Sequence, residues 1–589
     1  MTIKVVRQPR STYQLWARFS FPASTGPRDA IAIPASIAHQ LNSAYTIMLT
    51  ALMAKVWIIV IALAIFLVWR AGSKHPEGKK QMTLLASMVT LWNKRSDLIG
   101  FIFQAYQNNS GKSASQRSDP LRESKVWLAL VMFLALLASA AEKVLGVLVP
   151  PLLILGSAAP VNPDAIYFPP DFKQGEADDV IAARFTLEAP AALRALSSVD
   201  LGNQALREKV RVGQAVQRGR WKNDELILQV DYGYEVSGAE LGLQRYPDLL
   251  LVVNGSCITE YSWHSETDSV KYLDSNITTD TYRLPFDPSA PQTVSVLDGS
   301  VPMGSFLFDG PFPGALEKSN STWLALVSSV GRGSFTPGTD PWYLTDKDAN
   351  GSPSRPRYIV NPARPVLSCW QDNVWSYKGR SSSIQKLDSE ALPGLELSEA
   401  MQWALRRYLD APMIYHVGSR LGASALKSAT VAFGSFFDAG ASSFQKDLER
   451  LVMASYIATT NVLTDSTLHP AEKPTSLPNV IRAENNHIMD GVADFVVWSQ
   501  DVSALSIVVV AALPILLLAV WLLSIVLLNF TRLEIANLLD ADCIFTQLMN
   551  NHPQTTLSFD GKDGPAWGGL GEKKSDQSTV SLLVAPTPV

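Results

Sequence analysis

VSALSIVVVAALPILLLAVWLLSIVLL, residues 502–528, runs for 27 positions without a charge. At a helical rise of about 1.5 Å per residue it would extend roughly 40 Å, more than a bilayer's hydrocarbon core, so the stretch predicts a transmembrane helix that tilts or kinks at Pro514. Two similar stretches lie upstream. Residues 47–69 hold one charge, Lys55, and at the same rise their length comes to roughly 35 Å. Residues 126–147 form the next, broken only by Glu142-Lys143, and 148–157, with Pro150-Pro151, reads as an interfacial segment. Composition agrees, at 47% hydrophobic and 18% charged residues over 589 positions.

Cations fix the orientation, because loops rich in Lys and Arg stay on the cytosolic side. From Arg70 to Lys125 there are ten Lys or Arg against four acids, whereas Ser157 to Asp179 carries one Lys and five acids. Before the third stretch, Arg482 stands among Glu484, Asp490, Asp494 and Asp501. The expected order is therefore an exported tail (1–46), a span (47–69), a basic cytosolic loop (70–125) and a second span (126–147). An exported segment (158–501), a third span (502–528) and a cytosolic tail (529–589), disordered after about residue 551, complete it. An uncleaved anchor fits 47–69 better than a signal peptide, since the apolar run begins far from the N-terminus and ends in Trp69-Arg70. Within the loop, Met82, Leu85, Val89 and Trp92 ahead of Lys94-Arg95 predict a helix at the lipid surface.

Within the exported segment the periodicity changes near residue 385. Upstream, Leu226 to Tyr232 and Leu249 to Val253 read as strands between Gly, Pro, Asn and Ser clusters. Downstream, Ser398 followed by Met401, Ala404, Leu405 and Leu409 reads as a capped amphipathic helix. Further helices are expected over 423–462 and 479–497, the last running on into the third span. The fold class is thus a membrane protein with three transmembrane helices and a large α+β exported domain, β-rich over 158–385 and helical over 386–501.

Cys257 and Cys369 both fall in this segment, as do the glycosylation sequons at Asn254, Asn276, Asn320 and Asn350. In an oxidising lumen the two cysteines have one partner each, and their bond would close a 112-residue loop. Cys543 remains on the cytosolic side. Lys55, about 12 Å into the first span by helix rise, and Glu142 in the second form a candidate intramembrane charge pair, set against snorkelling of Lys55 and local pairing of Glu142 with Lys143.

Catalytic motifs are scarce. Gly111-Lys112-Ser113 has Tyr106 where a phosphate loop needs its leading Gly, and no nucleophile elbow, zinc-binding histidine pair, calcium loop or dinucleotide fingerprint occurs in the sequence. His487 with Glu484, Asp490 and Asp494 is a local group of potential ligands that reads as a solvated helix face. Arg207, Lys209, Arg211, Arg218, Arg220 and Lys222 alternate with acids, which favours a solvated surface over nucleic-acid binding. Trp370, Trp375 and Tyr377, with Tyr261 and Trp263, either surround the disulfide as core or present rings to a ligand. The sequence points to no cofactor and no metal.

Trp92-Asn93, Asp97-Leu98-Ile99-Gly100 and Ala159-Pro160-Val161-Asn162-Pro163, placed around the first two spans, resemble uncharacterised integral membrane proteins of filamentous fungi. That resemblance implies an integral membrane protein and carries no established activity to transfer to residues here. The expected protein is a membrane glycoprotein of the secretory pathway, at the plasma membrane, in contact with the lipid bilayer. Its non-catalytic exported domain would recognise a cell-wall glycan or protein ligand; a membrane-anchored, carbohydrate-active hydrolase is the alternative.

Overall fold

A computed structural model of the chain describes residues 8–72, 154–169, 178–273, 275–285, 287–300, 302–311, 320–348, 357–430, 436–468, 479–482, 485 and 487–530, with isolated positions between 133 and 153. The chain divides into two compact units, one of Met1–Leu52 and Glu142–Ala519, the other of Met53–Ala141 and Val520–Val589. The described part of the second consists of the far portions of two long helices and isolated helical positions from 133 to 141.

Strand Arg18–Ala23 (β1) turns into Gly26–Pro34 (β2), which leads directly into helix Ala35–Gly72 (α1). Beyond the second apolar stretch come Ile154–Gly156 (β3) and helix Asp178–Arg207 (α2). The β-rich portion comprises Val210–Val212 (β4), Leu226–Ser237 (β5), Leu250–Glu260 (β6), His264–Tyr272 (β7), Ser275–Leu284 (β8), Asp287–Leu297 (β9), Met303–Pro311 (β10), Asn320–Ser328 (β11) and Val366–Tyr377 (β12). Helices Glu399–Leu409 (α3), Met413–Leu421 (α4) and Phe444–Asp465 (α5) precede strand Val502–Ser506 (β13) and helix Ile507–Phe530 (α6).

The main sheet is antiparallel with order β10-β11-β12-β6-β5-β4, extended by Val216–Arg220 on β5 and Arg380–Ser383 on β12. Alternation decides its faces. Val230, Tyr232, Tyr234 and Val236 of β5, Leu251, Val253 and Cys257 of β6, and Leu367, Cys369, Trp375 and Tyr377 of β12 all point into one core. Cys257 and Cys369 sit directly opposite each other on β6 and β12 and form a disulfide. Beside it, the Trp323 indole donates to the Tyr232 hydroxyl (3.0 Å), which donates to Gln371 (2.8 Å), whose amide donates to Asn373 (2.8 Å). This chain satisfies polar groups that the sheet buries. Strands β9-β8-β7 form a second antiparallel sheet, with its own cluster of Tyr282, Leu284, Val294, Leu324, Leu326 and Val366.

The helical portion packs against the same core as the β portion. α5 is buried along nearly its whole length, and its hydroxyls turn back on its own carbonyls, Ser455 to Leu451 and Thr459 to Ser455, both at 2.7 Å. Ser398 caps α3 as expected, its hydroxyl accepting from the Met401 N–H at 3.1 Å. The helix expected over 423–462 is a short helix at Lys427–Thr430 followed by α5 from Phe444, capped by Ser443.

Three expectations change at the ends of the unit. The tail before the first apolar stretch is folded: β1 and β2 join a four-stranded sheet of order β1-β2-β13-β3. The described residues of 479–497 form turns and an Arg482–Ile488 bridge leading to the strand Val496–Trp498, not a helix. Val502–Ser506, taken above as the start of a span, is β13, because its five backbone positions pair with Ala30–Pro34 on one side and with β3 on the other. The apolar helix α6 therefore begins at Ile507. Its 20-residue stretch Ile507–Val526 has a mean hydropathy of 2.8 and is long enough to cross a membrane. Val508, Ile515, Leu518 and Trp521 are exposed, so α6 is apolar without being core. α1 contains the first apolar stretch, and its Tyr45 hydroxyl donates to the Val510 carbonyl of α6 at 2.6 Å.

Candidate functional site

A groove of about 1040 Å³ lies between the β1–β2 hairpin and the β4–β5 side of the main sheet. Phe21 to Ser24 and Leu155 to Ser157 form one wall, Glu208 to Arg211 and the ends of β5 and β6 the other, with Trp498 and Gln500 at the back. Its position follows from strand register. Ser506 pairs with Ala30 and Leu505 with Ile154, so α6 departs, and the second apolar stretch arrives, at one end of the small sheet. The hairpin turn, with Ala23 opposite Gly26, extends past Ala30 at that same end and contributes its side to the groove.

The aromatic wall depends on a glycine. Phe21 packs edge-on against Trp498 at 5.8 Å, and a β-carbon at Gly156 would stand 2.7 Å from the Phe21 ring. Opposite, the short helix Gly238–Leu241 is fixed by a capping box between Ser237 and Glu240. Glu240 also accepts from the Tyr456 hydroxyl (2.9 Å) and Lys209 (3.2 Å). Burial works against the Glu240 charge, but donation from Ser237, Tyr456 and Lys209 outweighs it and holds the carboxyl below the ordinary glutamate range. Exposed Arg211 and Glu235 add one charge of each sign. The groove thus offers an aromatic wall beside fixed ionic groups, which is the chemistry of selective binding.

A carboxyl displaced upward lies outside the groove and is half-buried. Asp340 accepts the N–H groups of Trp342 (2.9 Å) and Phe444 (3.1 Å), and burial pushes it up to about 7. Nearby, fully buried Asp447 accepts from the Tyr343 hydroxyl (2.6 Å) and the Ser428 N–H (2.9 Å). The Arg332 guanidinium donates to the Ser428 carbonyl (3.1 Å) and lies over the Phe437 ring at 4.2 Å. These groups join α5 to the strands Gly333–Ser334 and Phe436–Phe437, and their burial makes them architecture. A smaller hollow of about 90 Å³ between α2, α4 and α5 is floored by Met413, Val417, Ala458 and Val462 and flanked by the Arg420–Glu188 ion pair.

The residues singled out in the sequence are dispersed. Asn254 and Asn276 are exposed on β6 and β8, Asn320 opens β11, and Asn350 lies outside the described residues. Lys55 is half-buried in α1; Glu142 is outside the described residues, as are the basic loop up to residue 125 and the tail beyond Phe530. Asp490 falls on a turn and His487 and Asp494 on irregular backbone, Glu484 is not described, and no grouping able to hold a metal occurs among the described residues. Of the basic run, Arg207 pairs with Glu449, Lys209 with Glu240 and Arg220 with Asp224. Trp375, Tyr377 and Tyr261 are buried, whereas Trp370 is 49% exposed. The groove was missed because its walls come from segments hundreds of residues apart. Sequence does carry one trace of it, the Ser237-x-x-Glu240 capping box.

Fold and groove together define an α+β domain built on a large antiparallel sheet, smaller sheets and a buried helix, attached through the four-stranded sheet of β1, β2, β13 and β3 to an apolar helix. The chain belongs to the family described as Domain of unknown function (DUF8406), whose model matches residues 189–497. That match covers the main sheet and α3 to α5 and ends before β13. No curated protein and no solved structure matches the chain.

Proposed function

We propose that the protein is an integral membrane glycoprotein with three spans, whose exported domain recognises a cell-wall glycan or a protein ligand through the groove, without catalysis. One observation carries the reading: the four-stranded sheet is assembled from the segments that adjoin all three apolar stretches. β2 leads into α1, β3 follows the second stretch, and β13 leads into α6, so pairing among them requires all three on one side of a membrane. Three crossings put the loop 70–125 and the C-terminal tail on the other side, in agreement with their charge. A plasma-membrane location, with the domain facing the wall, fits this arrangement. The alternative is a membrane-anchored, carbohydrate-active hydrolase acting in the same groove.

Full-length protein in lipid nanodiscs, screened against a glycan array and wall polysaccharides, tests the reading. Wild type should retain at least one glycan, and Arg211→Glu with Glu235→Lys should weaken that binding about tenfold or more, on the scale of one lost charge-assisted contact. Retention unaffected by the double substitution would move the site elsewhere. Hydrolysis of a retained glycan would establish the enzyme instead.

A further inference from the structure

We infer that Trp370 is the platform on which the protein's own N-linked sugar at Asn254 packs, fastening a glycan flat onto the outer face of the main sheet. The inference rests on the exported-domain reading, since only a lumenal Asn254 would be glycosylated.

Register supplies the geometry. On β12, Asp372 lies opposite Asn254 of β6, and Trp370 lies opposite Ser256. Directly opposed residues share a face, so Trp370 is the diagonal neighbour of Asn254, about 7–8 Å away between α-carbons and within reach of a large side chain. Residues on this face alternate with the buried Cys369 and Gln371, and Trp370 is 49% exposed there. Its surroundings are polar. Ser256 donates to Asp231 at 2.6 Å, and Gln229 donates to both Ser256 (2.7 Å) and Asp231 (3.0 Å). A large exposed ring in a polar field does not make an apolar protein-binding patch. It does suit N-acetylglucosamine, whose C–H face can lie on an aromatic ring while its hydroxyl and amide edges meet polar groups.

Asn254 is prepared for this load. Its β5 neighbour is Gly233, where a β-carbon would stand 2.9 Å from the Asn254 amide oxygen. Glycine leaves a hollow for that oxygen. The two amide atoms diverge from Cγ, so the nitrogen that would carry the sugar is turned away from β5. Asn276, also exposed, lies on the separate β7–β9 sheet. Asn320 lies opposite Asp372 on β11, with Thr322 opposite Trp370, and is thus the matching diagonal neighbour from the other side; the hollow at Gly233 beside Asn254 is what assigns the ring to Asn254.

The test uses full-length protein from a glycosylating eukaryotic host, with site occupancy read by mass spectrometry and thermal midpoints read in detergent. Asn254→Gln should lower the midpoint by about 2 °C or more, whereas trimming the glycan to its first sugar should leave it unchanged. In Trp370→Ala, removal of the sequon should have no further effect, and Trp370→Phe should keep most of the coupling. Asn276→Gln should change gel mobility and leave the midpoint alone. Sugar at Asn276 with none at Asn254 would overturn the inference while leaving the topology standing, as would additive effects of Asn254→Gln and Trp370→Ala. Coupling of Trp370 to Asn320 in place of Asn254 would also overturn it. Absence of sugar from all four sequons would instead overturn the exported-domain reading.

Discussion

Half-buried Asp340 and fully buried Asp447 both have their titration moved upward by the loss of solvent around them. For Asp340, pushed up to about 7, the sign follows directly. Between the ordinary aspartate range near 4 and about 7, the folded protein keeps a proton that the unfolded chain has released, so stability falls as pH rises through that window. The loss is on the order of 4 kcal/mol at most, and Asp447 adds to it with the same sign. Asp340→Asn should therefore flatten the decline of the thermal midpoint between pH 4 and 7 without abolishing it; an unchanged slope would show that Asp340 does not titrate there. Neither Asp could be selected from sequence, because nothing local marks a carboxyl that distant residues will enclose. The cysteines differ, since compartment and number alone left one pairing. Joint replacement of Cys257 and Cys369 by Ser should cost about 3–5 kcal/mol, given the 112-residue loop they close, and should lower the denaturant midpoint of wild type but not that of reduced protein.

At the scale of elements, legibility followed periodicity. β5 and β6 were readable because buried and outward residues alternate along them, and α3 because Ser398 and its 3.6-residue pattern agree. Two elements went the other way. Residues 479–497 have acids and apolar residues at intervals compatible with a helix, yet Gly491 adopts φ 77° and the segment spends its backbone groups on bonds to other segments, Gln244 N–H to Asp494 O and Val161 N–H to Phe495 O. Val502–Ser506 has no charge to separate it from the helix that follows, and partners hundreds of residues distant made it a strand. That strand is central, so its N–H groups serve two neighbours. Ala504→Pro removes a donor between Ala32 and Gly156 and should destabilise the domain by about 3 kcal/mol or more, seen as a lower melting temperature in detergent. A melting temperature equal to wild type would mean that the small sheet contributes little to holding the domain.

For the molecule as a whole, the small sheet converts a charge argument about topology into a geometric one. Lys and Arg counts alone left the N-terminal tail ambiguous, because Arg7, Arg10 and Arg18 oppose an exported position. Under the three-span proposal, pairing bears on this tail: Arg18 lies opposite Ile31 within the hairpin, and the hairpin is bonded along β2 to a strand of the same compact unit. On that proposal Arg18 would be carried across by the folded hairpin, with sheet formation opposing its modest preference for the cytosol. Single cysteines at Thr25 of the hairpin turn and at exposed Leu273 of the β7–β8 turn, in a background with Cys543 replaced, should both react with a membrane-impermeant maleimide on intact cells. A cysteine at Ser110 in the basic loop should react only after permeabilisation. Labelling of Leu273→Cys without Thr25→Cys would separate the hairpin from the domain and break the three-span scheme, whereas labelling of neither would place the whole α+β domain in the cytosol.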